Sequence, residues 1–335
     1  MTIKERIDTF AKLGSHLKNL SAEEIEQLQL RAASENPWFT ADNVKASIEG
    51  IAKFLDASVL SDWVAQYDVK DQQKTIGVVM AGNIPLVGFH DLLCVIISGN
   101  KLKPKLSSKD SSLMHYVIDK LIAINPAMSD YIHIADQLKG IDGIIATGSD
   151  NSSRYFEYYF SKYPHIIRKN RTSCAILDNE SSESDLEALG NDIFKYFGLG
   201  CRNVSKLYVP ENYDFTKFFE SIEGFNEVKH HHKYANNYDY NKSIYLVNKD
   251  HHLDNGFLIL KPDSALVSPI SVLFYKEYKN GQELKESLTE QKDKIQCIVS
   301  KDGVWPGSKP FGKAQLPEVD DYADGVDTMK FLTAL

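Results

Sequence analysis

The chain's 335 residues are 43% hydrophobic and 25% charged, the make-up of a folded protein with a real core and room for two domains. A formal charge of −8 argues against a general nucleic-acid-binding surface. No apolar run approaches the roughly 18 residues of a membrane span, and Met1-Thr2-Ile3-Lys4-Glu5-Arg6 has no apolar signal region. Cysteines 94, 174, 201 and 297 show neither C-x-x-C spacing nor a disulfide framework. The expected location is cytoplasmic.

Residues 1–65 read as a helical N-terminal segment. Leu17, Leu20, Ile25, Leu28 and Leu30 recur at helix-like spacing. Ser21 and Glu24 form a capping-box pattern. Asn36-Pro37-Trp38 breaks the run before a second helix over about 40–56.

From Thr75 the punctuation changes to alternating strands and helices. Thr75 to Val79 reads as a strand, Gly88 to Ile97 as a helix with Gly99 at its C-terminus, and Lys101 to Leu106 as the next strand. Ser107 to Asp110 should cap a helix over 111–123. Tyr131 to Ala135 and Gly143 to Ala146 read as strands, the latter running into Thr147-Gly148-Ser149-Asp150 and a helix over 152–163. This alternation predicts βα units and a parallel sheet.

A third block runs to about Ser300. Strands are expected at Ser173 to Leu177, Lys206 to Val209, Ser243 to Val247, Gly256 to Leu260, Ser271 to Tyr275 and Gln296 to Val299. Helices are expected over 185–197 and 214–222. The fold class is therefore α/β, with a cofactor-type domain over 66–170 completed by 303–335, and a second α/β domain over 171–302. Within that block stands Phe197-Gly198-Leu199-Gly200-Cys201-Arg202, a cysteine on glycine-rich backbone just before a strand. Two readings are open: a thiol that a substrate carbonyl can approach, or a buried small hydrophobe. Cys94 and Cys297 lie in apolar runs and read as buried thiols.

Five signatures stand in fixed order: Gly82-Asn83-Ile84-Pro85, Gly99-Asn100 to Lys105, Thr147-Gly148-Ser149, Gly200-Cys201 and Lys309-Pro310-Phe311-Gly312. Together, over about 65–335, they resemble the aldehyde dehydrogenase superfamily. The run Cys201-Arg202-Asn203-Val204-Ser205-Lys206-Leu207-Tyr208-Val209-Pro210 and the tail Tyr322-Ala323-Asp324-Gly325-Val326-Asp327 are more similar to its acyl-CoA reductase branch, which includes LuxC-like fatty acyl-CoA reductases. The resemblance implies a Rossmann-like nicotinamide domain, a catalytic domain carrying the cysteine, and a dimer or tetramer.

It also implies roles. Cys201 becomes the nucleophile that forms a thioester, with Arg202 and Lys206 as nearby cations that would favour the thiolate. Asn83 supplies an oxyanion donor beside the Cys201 backbone N–H; by itself Gly-Asn before Ile-Pro is also good turn chemistry. Lys105 falls at the adenosine ribose. Ser107 and Ser108 follow, and Ser108 stands where many NAD-preferring relatives carry a glutamate. With Lys109 next, the pattern leans toward NADPH, NADH being the alternative; solvated lysines are the plain reading of the same residues. Thr147, Gly148 and Ser149 suit a pyrophosphate at a helix N-terminus, and Ser149 suits a helix cap equally.

The sequence departs from the family in two places. Hydrolytic relatives carry a glutamate base about 33 residues before the cysteine; here that stretch is Arg168-Lys169-Asn170-Arg171-Thr172, without a carboxylate. Arg168 or Arg171 would then meet CoA phosphates or lie on the surface. Ala265-Leu266-Val267-Ser268-Pro269 replaces a Glu-x-Phe-Gly-Pro run that holds the nicotinamide ribose. His90 reads as an acid–base group or a packing residue. His230-His231-His232 and His251-His252 read as solvated loop histidines rather than metal ligands. The expected activity is reduction of an acyl-CoA, or of an acyl group from an acylated partner enzyme, to aldehyde. A dehydrogenase of free aldehyde or semialdehyde, and a non-catalytic nucleotide-binding relative, are the alternatives.

Overall fold

The structure is a computed structural model that describes residues 1–335, Asp150 by its backbone alone. Four helices open the chain: α1 (Ile3–Lys18), α2 (Ala22–Glu35), α3 (Ala41–Phe54) and α4 (Ala57–Val64). Side-chain oxygens of Thr2, Ser21, Thr40 and Asp56 cap them, and at Thr2 and Ser21 the capping box is complete. Then follow β1 (Thr75–Val79), α5 (Phe89–Ile97), β2 (Lys101–Lys105), α6 (Ser111–Ile124), β3 (Gly143–Thr147), α7 (Asp150–Phe160) and β4 (His165–Arg168). The second half holds β5 (Thr172–Ile176), α8 (Glu183–Phe194), β6 (Val204–Pro210), α9 (Thr216–Ser221), α10 (His232–Asn248), β7 (Leu253–Asp254), β8 (Ile259–Pro262), β9 (Val272–Tyr278), α11 (Gly281–Glu290), β10 (Ile295–Ser300), β11 (Lys309–Pro310) and α12 (Thr328–Thr333).

The chain divides into two compact units, Met1–Asn170 with Pro317–Leu335, and Arg171–Leu316. In the first, a parallel sheet runs in the order β2-β1-β3-β4. Its α5 is apolar over most of its surface because it is enclosed: sheet residues Ile76 and Val78, helices α1, α3 and α4, and Met329 and Leu332 of α12 share its core. In the second unit the order is β11-β10-β5-β6-β9-β8-β7, parallel except for the short β7–β8 pair. Helices α8 and α9 cover one face and α11 covers the other. Among the described residues, no helix is long and apolar enough to cross a membrane.

Four local expectations differ from the structure. The Ser107 to Asp110 stretch does not cap α6: the Asp110 side chain makes no cap bond, and the Glu35 carboxylate accepts the N–H groups of Ser111 and Ser112 instead. Ser243 to Val247 lies inside α10 rather than in a strand. Its β-formers continue a helix whose buried residues Tyr234, Asn241 and Tyr245 fall on one face, and which ends only at left-handed Lys249. Tyr131 to Ala135 forms a single bridge to β2, at Ile132 and Leu102. His133 N–H and Ala135 N–H donate to Leu102 and Pro104 carbonyls, but Pro104 has no N–H to return the next bond. The 230–232 histidines are not in a loop: a 3₁₀ turn ends at His230, and His232 opens α10.

Candidate active site

Two parallel-strand ends carry the candidate residues, one in each unit. In the second unit, α8 ends at Phe194 and β6 begins at Val204. Between them Tyr196, Phe197 and Gly198 take left-handed backbone, with φ of 54°, 56° and 78°. For the two aromatic residues this costs on the order of 1–3 kcal/mol each. The surroundings impose it. The Phe197 ring sits 4.4 Å from His231 and 6.1 Å from Tyr234, centroid to centroid, and Tyr196 is buried. Cys201 follows, exposed, while Cys94, Cys174 and Cys297 are buried. Burial pushes the thiols of Cys94 and Cys174 well above the ordinary range, which leaves them inert. The buried-hydrophobe reading of Cys201 is thus overturned by its exposure.

The loop is fastened at several points. Ser173 Oγ donates to the Cys201 carbonyl at 3.1 Å. Asn203, 1% exposed, accepts the Gly200 N–H at 2.8 Å. Asp192 of α8 receives N–H groups from Gly312 at 2.7 Å and Ala314 at 3.0 Å, so the Lys309-Pro310-Phe311-Gly312 motif is tied to the helix that leads into the cysteine. Burial raises Asp192 to about 7. Of the two cations expected near the thiol, Arg202 is half-buried and adjacent in the chain. Lys206 is fully buried, its ammonium donating to the Asp263 backbone carbonyl, and burial lowers it to about 8. Ser205 Oγ donates to the Leu266 carbonyl at 2.8 Å. Together Lys206 and Ser205 moor the segment that replaces the Glu-x-Phe-Gly-Pro run.

In the first unit, the chain leaves β1 to one side for β2 and then crosses to the other side for β3. That reversal falls at the carboxyl ends of β1 and β3, the place where open parallel sheets bind nucleotides. Asn83 is exposed in the bend after β1, and Lys105, Ser107 and Ser108 follow β2. Thr147, Gly148 and Ser149 follow β3. The geometry brings the first and second groups close: a β-carbon on Gly82 would lie 2.5 Å from Ser107 Oγ. Lys105 and Ser108 are exposed, Ser107 half-buried. Ser149 caps α7, accepting the Ser152 N–H at 3.3 Å. Gly148 is required by packing too, since a β-carbon there would stand 2.8 Å from Phe156 and from Ser152. An exposed ammonium, exposed hydroxyls and a helix N-terminus at a switch point form a donor set that suits a dinucleotide.

The residues that hold the Asn83 loop carried no sequence signal. Asn36 Nδ2 donates to the Gly82 carbonyl at 3.0 Å and Ser47 Oγ to the Pro85 carbonyl at 2.6 Å, both from the N-terminal helical segment. Asp110 Oδ2 accepts the N–H of Leu86, itself left-handed at φ 56°, at 2.7 Å. Burial raises Asp110 to about 8.

Arg168 meets neither expectation for it, phosphate ligand or surface cation. Its Nη1 lies 2.6 Å from Asp91 Oδ2 and its Nη2 donates to Thr328 Oγ1 at 3.0 Å, with both charged side chains buried. His90 takes the packing role. Its Nε2–H donates to the Val319 carbonyl at 2.7 Å, and its ring lies against Phe54, Trp63 and Tyr322.

A family model described as acyl-CoA reductase (LuxC) matches residues 16–224. No curated protein matches. Among solved structures, aldehyde dehydrogenase 21 from Physcomitrella patens, in complex with the reaction product succinate, is 16% identical. It aligns over 100% of this chain and 84% of its own, with a TM-score of 0.70. The P. syringae indole-3-acetaldehyde dehydrogenase AldA, complexed with NAD+, is 10% identical over 92% of this chain and 74% of its own, TM-score 0.67. An NAD+ complex of a Bacillus cereus aldehyde dehydrogenase is 12% identical over 90% and 72%, TM-score 0.62. These similarities establish an aldehyde-dehydrogenase-like fold.

Proposed function

Because the chain belongs to the acyl-CoA reductase (LuxC) family, we propose that it reduces a long-chain acyl-CoA thioester to the aldehyde with NADPH, through an acyl group carried on Cys201. Family membership makes it an oxidoreductase of acyl and aldehyde carbonyls. The observation that carries the finer reading is the exposure of Cys201, set on strained backbone while the other three cysteines are buried.

In this reading the Cys201 thiolate attacks the thioester carbonyl. The Asn83 amide and the Cys201 backbone N–H take the oxyanion, and losing one such donor costs about 10²–10³ in rate. CoA departs as its thiolate and leaves the acyl–Cys201 thioester. When bound, the nicotinamide supplies hydride to the acyl carbon. The resulting thiohemiacetal breaks its C–S bond, which releases aldehyde and restores the Cys201 thiolate. Thr147, Gly148 and Ser149 hold the pyrophosphate at the start of α7, while Lys105, Ser107 and Ser108 meet the adenosine ribose. Serine at 108 followed by Lys109 leaves no carboxylate there to repel a 2′-phosphate, which supports NADPH over NADH. The hydrolytic base has no counterpart at Arg168, whose partner Asp91 is buried with it; this supports release as aldehyde over hydrolysis to acid. The acyl donor is CoA, an acylated partner enzyme offering the same chemistry, and the working form is a homo-oligomer.

The test is incubation with long-chain acyl-CoA and NADPH, following aldehyde and released CoA. Wild type should produce both and Cys201→Ala neither. Absence of turnover by wild type with any acyl-CoA removes the reading, and equal turnover by Cys201→Ala removes the nucleophile. Comparable efficiency with NADH would remove the cofactor preference.

A further inference from the structure

We propose that Asn203 is the positioning residue of the nucleophile loop: its carboxamide spans the strained turn before Cys201 and fixes the backbone that presents the thiol. The proposal rests on the reading of Cys201 as nucleophile.

The geometry is specific to a carboxamide. Asn203 Nδ2 lies 3.1 Å from the Asp192 carbonyl, 3.2 Å from that of Ile193 and 2.7 Å from that of Lys195. These carbonyls stand at and just past the end of α8, where the helix has no N–H groups left to pair them. On the other side, Oδ1 accepts the Gly200 N–H at 2.8 Å. The carboxamide therefore grips the chain both before and after the left-handed run Tyr196-Phe197-Gly198. One grip lies at the residue immediately preceding Cys201. Asn203 has its own backbone N–H on the Gly200 carbonyl at 3.0 Å, which closes the turn a second time. A side chain two residues from the thiol and 1% exposed touches no substrate. It acts through the loop. Aspartate has the same shape but no N–H to give, and would set an anion against three carbonyl oxygens. Alanine removes both grips.

The experiment compares wild type, Asn203→Ala and Asn203→Asp. Amide hydrogen exchange by mass spectrometry reads the 195–203 segment, and steady-state acyl-CoA reduction is measured well below each variant's unfolding temperature. Expected are at least tenfold faster exchange confined to that segment, and a kcat lowered at least tenfold with KM for acyl-CoA within about threefold. A general loss of structure would spread the exchange and shift Tm, but would not separate kcat from KM in folded protein. Unchanged exchange overturns the proposal, as does faster exchange with wild-type kcat. If neither variant folds, the Gly200 amide of wild type decides: protection supports the grip, and exchange at the rate of an open amide overturns it. Wild type that turns over no acyl-CoA would count against the function reading alone, because the exchange measurements need no substrate.

Discussion

Replacing Arg168 by methionine should destabilise the first unit severely while leaving acyl-CoA affinity alone. The guanidinium and the Asp91 carboxylate are 6% and 7% exposed and 2.6 Å apart. Removing one partner strands the other charge in the core, at a cost of about 3–5 kcal/mol. The lost bond to Thr328 Oγ1 adds about 1 kcal/mol. For a unit of about 190 residues, at 2–4 °C per kcal/mol, Tm should fall by roughly 8–24 °C. The pair is imperfect, since Asp91 Oδ1 and Arg168 Nε have no hydrogen-bond partner among the described residues. The double variant Asp91→Leu/Arg168→Met should therefore recover most of the loss, to within about 2 kcal/mol of wild type. Urea unfolding of wild type, Arg168→Met, Asp91→Leu and the double variant closes the cycle. Arg168→Met within about 1 kcal/mol of wild type, joined by a raised KM for acyl-CoA, would refute this reasoning and return Arg168 to a phosphate-binding role.

Asp110→Asn should flatten the pH dependence of stability. Folded Asp110 keeps its proton up to about 8 whereas the unfolded chain releases it near 4, so its contribution is full below that pH and is lost as pH rises toward 8, by up to about 1.4 kcal/mol per unit; an unchanged slope in urea unfolding between pH 5 and 8 would count against it. Lys206→Met should act oppositely: burial lowers Lys206 to about 8, so wild-type stability gains from this group as pH climbs from 8 toward 10.5, and the variant should lack that gain. Gly82→Ala forces Ser107 aside, because its new β-carbon would stand 2.5 Å from Ser107 Oγ. At least a fivefold rise in KM for the nicotinamide cofactor is expected, about 1 kcal/mol; an unaltered KM would detach Ser107 from the cofactor site.

The sheet of the first unit was legible because its punctuation is local. Gly99 ends α5 at φ 87°, Ser149 caps α7, and the apolar runs between them are short. The Ser21 capping box was legible for the same reason. Long-range polar anchors were not. Asn36, Ser47 and Asp110 grip the Asn83 loop from 46, 38 and 24 residues away. Arg168 finds Asp91 across 77 residues. Nothing within a helical turn or a strand pair of these residues distinguishes an anchor from a solvated side chain. The error at Ser243 to Val247 has a related origin: three β-formers outvoted a helix whose start lies eleven residues earlier, at His232.

The backbone carries a signal at the candidate loops that no propensity scale would report. Non-glycine residues with positive φ are Gln73, Leu86, Tyr196, Phe197, Asn212, Lys249, Ser271, Asp302 and Asp324. Most are polar residues of the kind that turns tolerate. The large apolar exceptions are Leu86, in the loop of Asn83, and Tyr196 and Phe197, in the loop of Cys201. Glycine would take these angles at less cost, so what the bulky side chains add is anchorage. Leu86 is 4% exposed, Tyr196 is 8% exposed, and Phe197 lies against His231. Each loop is held by a side chain packed on one side and by a buried carboxyl or carboxamide on a backbone N–H on the other: Asp110 at Leu86, Asn203 at Gly200. Strain persists only where the surroundings over-determine it, and it gathers where geometry must be kept. Here the same construction recurs at both loops, one in each unit.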